Sequence, residues 1–152
     1  MPTALRLLPA LSAEHRERLM TVAQEVSFPA DGKIFEAGGT ADRFWVIRSG
    51  TVSLHQQVVG ERRISVATLG PGDLLGWSWL FPPHHWDFGA EAFSPVRAYE
   101  FDAGEVLGLC AKDPALELSL TRTIAAILAH RLETTRAALI EHYARHGGGG
   151  LR

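Results

Sequence analysis

The chain has 152 residues, 46% of them apolar and 21% charged, with 15 basic and 17 acidic side chains for a formal charge of −2. That length suits one domain with a sizeable core, and the charge balance supplies no basic field to draw in nucleic acid or an anionic membrane. No apolar run nears the roughly 18 residues of a membrane span, and the single cysteine, Cys110, cannot close an internal disulfide, so a cytoplasmic protein without a membrane segment is expected.

Residues 1–25 form the N-terminal helical segment. It lacks a signal peptide's long apolar stretch. Ser12 can accept from the free amides of a helix start, and Leu11, Leu19 and Val22 can share one face of the helix that follows.

From residue 26 to 102 the signals are those of strands. FWVIRSGTVSLHQQV alternates apolar and polar positions across Gly50, and RRISVATLGPGD does so before a Gly-Pro-Gly turn. Asp31-Gly32, Gly38-Gly39, Ser49-Gly50, Gly60-Glu61 and Gly70-Pro71-Gly72 punctuate the zone at short intervals. The spacing predicts short antiparallel strands in a small roll or sandwich.

Within this zone, Gly72 to Ala92 reads GDLLGWSWLFPPHHWDFGAEA and holds three of the four tryptophans. Trp77, Trp79, Phe81, Trp86 and Phe88 can wall a site for an apolar or aromatic ligand, or they can fill that site and leave a rigid scaffold. Both readings stand. Pro82-Pro83 stiffens the loop carrying His84 and His85. Those histidines and Asp87 have metal-capable chemistry, but adjacent side chains on a strand point to opposite faces, so no metal site is expected. No serine–histidine–acid set, paired carboxylates or phosphate-cradling loop is present, and a non-enzymatic protein is expected.

Residues 103–146 are predicted helical. From Pro114 to His146 there is no glycine and no internal proline, and Leu116, Leu120, Ile124, Leu128, Leu132, Thr135, Leu139 and Tyr143 recur at steps of four and three. A helix of about 30 residues spans about 45 Å, more than one small roll can cover. A homodimer through Leu120, Ile124, Leu128, Leu132, Thr135 and Leu139 is the expected solution; the alternative folds the helix back over its own roll. Gly147 to Gly150 end the helix and open a flexible tail over 147–152.

The order of helix, glycine-punctuated roll and long helix resembles the cyclic nucleotide-binding domain of the catabolite activator and kinase regulatory-subunit families. VSFPADGKIFEAGGTADRFWVIRSGTVSLHQ resembles the opening strands, ATLGPGDLLG the run into the phosphate-binding cassette, and PVRAYEFDAGEVLGLCAKDPAL with AHRLETTRAAL the closing strand and long helix. The resemblance implies an α+β fold over residues 1–146: an antiparallel, jelly-roll-like β-roll (a double-stranded β-helix) with an N-terminal helix and a long C-terminal one.

In that family the cassette supplies a glutamate to the ribose 2′-hydroxyl and an arginine to the cyclic phosphate. Here the matching run is Leu75-Gly76-Trp77-Ser78-Trp79-Leu80, with Trp77 where the glutamate stands, and Trp86 or a near neighbour such as Asp87 or Phe88 where the arginine stands. No arginine or lysine lies between Gly70 and Pro95. An anion without its cation forgoes a charged hydrogen bond of about 1.5–3 kcal/mol and stays under-compensated, so ordinary cyclic-nucleotide binding is not expected. Thr135 resembles the long-helix threonine that meets the purine, and Arg136 beside it is the candidate cation for the pocket. No cofactor is expected, with a cyclic nucleotide held unconventionally or a haem-like group as the weaker readings. The resemblance thus implies a stand-alone regulatory or protein-interaction module with a degenerate cassette; the alternative is a sensor of an apolar, aromatic or haem-like molecule. Transcription factors of the activator family continue into a DNA-binding domain. None is read here, so direct DNA binding is not expected and a separate effector protein is.

Overall fold

A computed structural model describes residues 5–58, 60 and 63–147; the expected glycine-rich tail falls outside them from residue 148 onward. Two short helices open the chain, α1 (Leu7–Ala10) and α2 (Ala13–Met20). Ser12 caps α2 as its sequence suggests, its hydroxyl accepting from the His15 amide at 3.1 Å. Eight strands follow: β1 (Ala23–Phe28), β2 (Lys33–Phe35), β3 (Arg43–Ser49), β4 (Val52–Gln57), β5 (Arg63–Leu69), β6 (Leu74–Leu75), β7 (Gly89–Ala92) and β8 (Val96–Asp102). They pair antiparallel in two four-stranded sheets, ordered β1-β8-β3-β6 and β2-β7-β4-β5. This is the expected α+β jelly-roll.

Alternation fails on β3, where Phe44 to Ile47 are all buried. Successive strand residues point to opposite faces, and both faces of β3 are covered. Phe44 stacks with Trp79 (4.9 Å between ring centroids) and Phe101 (4.7 Å) on one side. Trp45 joins Phe35 (5.5 Å) and Trp86 (5.9 Å) on the other, and its indole N–H donates to Glu100 at 2.9 Å. On β5, at the edge of its sheet, every residue before Leu69 is exposed.

The chain then runs into α3 (Ala103–Lys112) and α4 (Pro114–His142). Asp102 and Asp113 cap them through the Glu105 and Leu116 amides, and Pro114 sits at the first turn, where its missing N–H is harmless. Arg18 bridges to Asp113 at 2.8 Å, tying α2 to the junction. The first half of α4 folds back on the chain's own roll. Leu120 and Ile124, expected at a dimer seam, are 2% and 1% exposed in the single chain and belong to its core. The stripe is continuous in sequence, but the roll beneath it ends. Leu128 is half-buried, and beyond it Leu132 (68%), Leu139 and Tyr143 are exposed. Among the described residues no helix is long and apolar enough to cross a membrane.

Candidate ligand site between the roll and the long helix

The site begins at the turn Gly70-Pro71-Gly72-Asp73. The Asp73 carboxylate accepts from the Gly70 amide at 2.8 Å, and the Gly72 amide donates to the Ile47 carbonyl at 2.7 Å, which seats β6 against β3. Gly76 then takes φ +92°, a conformation L side chains resist, and a Cβ there would stand 3.0 Å from the Trp86 ring. A 3₁₀ turn (Ser78–Leu80) follows and turns Trp79 into the core.

Trp86 is 6% exposed and stacks on Phe35 at 4.0 Å between centroids, 18° between planes. Two backbone bonds fix its place: Gly38 N to Trp86 O at 2.7 Å and Trp86 N to Gly39 O at 2.9 Å. Burying an indole this fully contributes several kcal/mol to the fold. Beneath the cassette, among Leu75, Gly76, Ser78, Trp86 and Asp87, about 10 Å³ remains. That is at most one water.

Above it lies a cavity of about 530 Å³ bounded by β4, β5, the cassette run and α4. Trp77 and Phe88 form one side, their rings 5.9 Å apart and inclined at 58°. Leu5, Leu54, Val66 and Ile127 add apolar surface; Thr68, Asp73, His130, Thr134 and Thr135 add polar groups. Arg131 reaches in from α4. Its Nη2 donates to the Leu74 carbonyl at 2.5 Å. Its Nη1 is buried and has no hydrogen-bond partner among the described residues. Burial pushes the guanidinium below its ordinary pKa, and the Asp73 carboxylate partly offsets this.

The profile of the cyclic nucleotide-binding domain matches residues 25–113. The chain belongs to the cyclic nucleotide-binding domain family. A CRP-like cAMP-activated global transcriptional regulator of Mycobacterium tuberculosis is 29% identical over 118 residues, which are 78% of this chain and 51% of that protein. The chain thus spans about half the length of that relative. Among solved structures, a putative cyclic nucleotide-binding protein from Geobacter metallireducens superposes with a TM-score of 0.72 at 26% identity, over 87% of this chain and 99% of its own. The catabolite activator protein of Thermus thermophilus gives 0.73 at 25% identity, over 88% of this chain and 61% of its own. A cyclic nucleotide-binding domain from Methylobacillus flagellatus gives 0.80 at 18% identity, over 86% of this chain and 74% of its own, a likeness of fold alone.

Within this cyclic nucleotide-binding domain the residues singled out from sequence part company. Trp77, Phe88 and Thr135 face the 530 Å³ cavity. Leu75, Gly76, Ser78 and Asp87 line the remnant of about 10 Å³ and not that cavity, while Trp86 lines the remnant and also a space of about 340 Å³ shared with Phe35, Trp45, Arg43 and Glu100. Trp79 and Leu80 pack on the core and line neither space. Phe81 is exposed, and His84 turns its Nδ1 toward the Trp79 carbonyl at 3.0 Å. Among the described residues no three histidine, cysteine, aspartate or glutamate side chains gather as a metal site would require. Cys110 is buried and burial raises its thiol pKa, as befits a core residue.

Arg136 does not face the cavity; it is exposed on α4. Residues four apart share a helix face, so Arg131 and Thr135 turn inward together while residue 136 is carried about 100° onward. The missed cation carried a readable signal: Ile127, Arg131 and Thr135 are themselves a stripe at steps of four.

Proposed function

We propose that this domain is the sensing module of a regulator, taking a small organic molecule between the roll and α4 and not seating a cyclic nucleotide in its cassette. The observation that carries this reading is the division of the aromatic wall. Trp86, at or next to the position that the resemblance aligns with the phosphate-binding arginine, is packed on Phe35 and leaves about 10 Å³ within the cassette, whereas about 530 Å³ stays open between Trp77 and α4. A cavity of that size lies within the range of small-molecule sites, roughly 300–1,000 Å³. The cassette run does not fit the family's usual ligand: no arginine or lysine lies between Gly70 and Pro95 to meet a phosphate. The output is regulatory, in keeping with relatives named as transcriptional regulators. It passes through the exposed half of α4 and the turn after it, where Leu132, Leu139, Ile140 and Tyr143 offer an apolar stripe to a second copy of the chain or to an effector protein. Calorimetric titration with cyclic AMP and cyclic GMP tests the proposal. We expect no single-site binding at micromolar concentrations, and such binding by either nucleotide would overturn it.

A further inference from the structure

The stripe along α4 ends in histidines. Leu128, Leu132, Thr135, Leu139, His142 and His146 follow one another at steps of four, three, four, three and four, the alternation of a coiled-coil seam. His142 closes α4, and His146 stands on the wider turn, Tyr143–Gly147, that continues it. Both are exposed, and their rings lie 4.8 Å apart between centroids. Residues four apart share a helix face, the spacing by which paired histidines grip one zinc ion. With metal–nitrogen bonds of about 2.0–2.1 Å, two imidazoles on one ion hold their ring centres roughly 4.5–5.2 Å apart. The observed spacing falls inside that range. Glu141 and Arg145, paired at 3.6 Å, leave the charge beside the rings balanced.

Two imidazoles are half of a closed metal site, which takes four ligands. Among the described residues no third histidine, cysteine, aspartate or glutamate joins the pair. A second copy packed in parallel on the same seam supplies what is missing, because equivalent seam layers of the two helices then face each other. We infer that His142 and His146 hold a divalent ion of the zinc, nickel and copper class, shared between two copies of the chain, so that four imidazoles clasp the ends of paired α4 helices. Imidazole nitrogen suits these ions, whereas magnesium and calcium take oxygen ligands. The clasp rests on the proposed meeting of α4 with a second copy and is independent of what the cavity takes.

The test follows Zn2+ uptake by the untagged full chain in calorimetry and its self-association in sedimentation velocity, in chelator and with added Zn2+. One ion is expected per two chains, with a dimer dissociation constant at least about 10-fold lower in Zn2+ than in chelator. His142→Ala and His146→Ala should each abolish that gain; both positions are exposed, so the fold is kept. Mg2+ should give no gain, and an equal gain with Mg2+ would overturn the assignment. Uptake of one ion per chain, or uptake that survives both substitutions, would overturn the shared site, as would a dissociation constant unmoved by Zn2+. A chain that dimerises in chelator but takes up no Zn2+ would overturn the clasp and leave the pairing of α4. A chain that stays monomeric under both conditions would overturn the two together.

Discussion

Arg131 Nη2 donates to the Leu74 carbonyl, a contact spanning 57 positions of sequence that joins the middle of α4 to the strand opening the cassette run. One guanidinium nitrogen is thus used for structure and its twin is buried without a partner among the described residues. The bond gained and the charge desolvated oppose each other. Arg131→Met is therefore expected to stay within about 1 kcal/mol of the wild-type stability in urea unfolding. A loss well beyond about 2 kcal/mol would make Arg131 a structural residue first.

The division of the tryptophans predicts unequal costs. Trp86→Ala, removing the stack on Phe35, should cost about 3–5 kcal/mol. Trp77→Ala, at the half-buried cavity wall, should cost about 1 kcal/mol. Guanidinium unfolding of the two variants checks the ranking, and its reversal would refute the assignment of Trp86 to the core.

Gly76 is held by its φ of +92° and by the Trp86 ring beside it. Gly76→Ala should destabilise by at least about 1–2 kcal/mol. In a Trp86→Phe background the steric part of that penalty should shrink, giving a non-additivity of about 0.5 kcal/mol or more in a double-mutant cycle. Strict additivity would mean that the ring does not press on this position.

His55 predicts an acid sensitivity. Burial, foremost, and then the charges of Arg63 and Lys33 push its pKa below the ordinary 6.5, against a partial opposing pull from Glu91. Its Nε2 lies 3.5 Å from Glu91 Oε2 without a hydrogen bond. The fold therefore prefers the neutral ring. Well above pH 6.5 the ring is neutral in both states and contributes no slope. As pH falls below that value the unfolded chain takes up the proton first, and stability declines until the folded-state pKa has been passed. Unfolding free energies measured between pH 7.5 and 5 should show this decline in the wild type and a shallower one in His55→Gln; identical slopes would exclude His55 as the cause.

The two halves of α4 should answer differently to substitution. Leu120→Ala, in the core, should cost about 2–5 kcal/mol. Leu132→Asp with Leu139→Asp should leave chain stability nearly unchanged at low concentration and abolish self-association in sedimentation velocity. A wild-type chain that sediments as a monomer at tens of micromolar would remove the homodimer.

Much of the fold is legible in sequence because local signals and tertiary demands agree. Ser12 marks a helix start, Gly50 takes φ +88° between β3 and β4, and Asp113-Pro114 opens α4. The site is less legible. Five aromatics in one run look like one wall, yet the sense of each side chain depends on the left-handed turn at Gly76 and the 3₁₀ turn after it, which composition does not encode. Trp86 and Trp79 end in the core, Trp77 and Phe88 at the cavity, and Phe81 in solvent. Arg131 escapes notice because a single apolar stripe assigns it to the solvent side; only the concave roll gives α4 a second buried face.

Ile127 is the last deeply buried residue of α4, and residues 132–146 are all exposed. A tilt about Ile127, once the Arg131–Leu74 bond gives way, would make the helix a lever. Arg131 lies about 6 Å along it and Tyr143 about 24 Å, at 1.5 Å per residue. A sideways shift at the cavity wall appears about fourfold larger at the tip, so a tilt of about 5° carries Tyr143 through about 2 Å, comparable to the helix shifts that repack subunit interfaces.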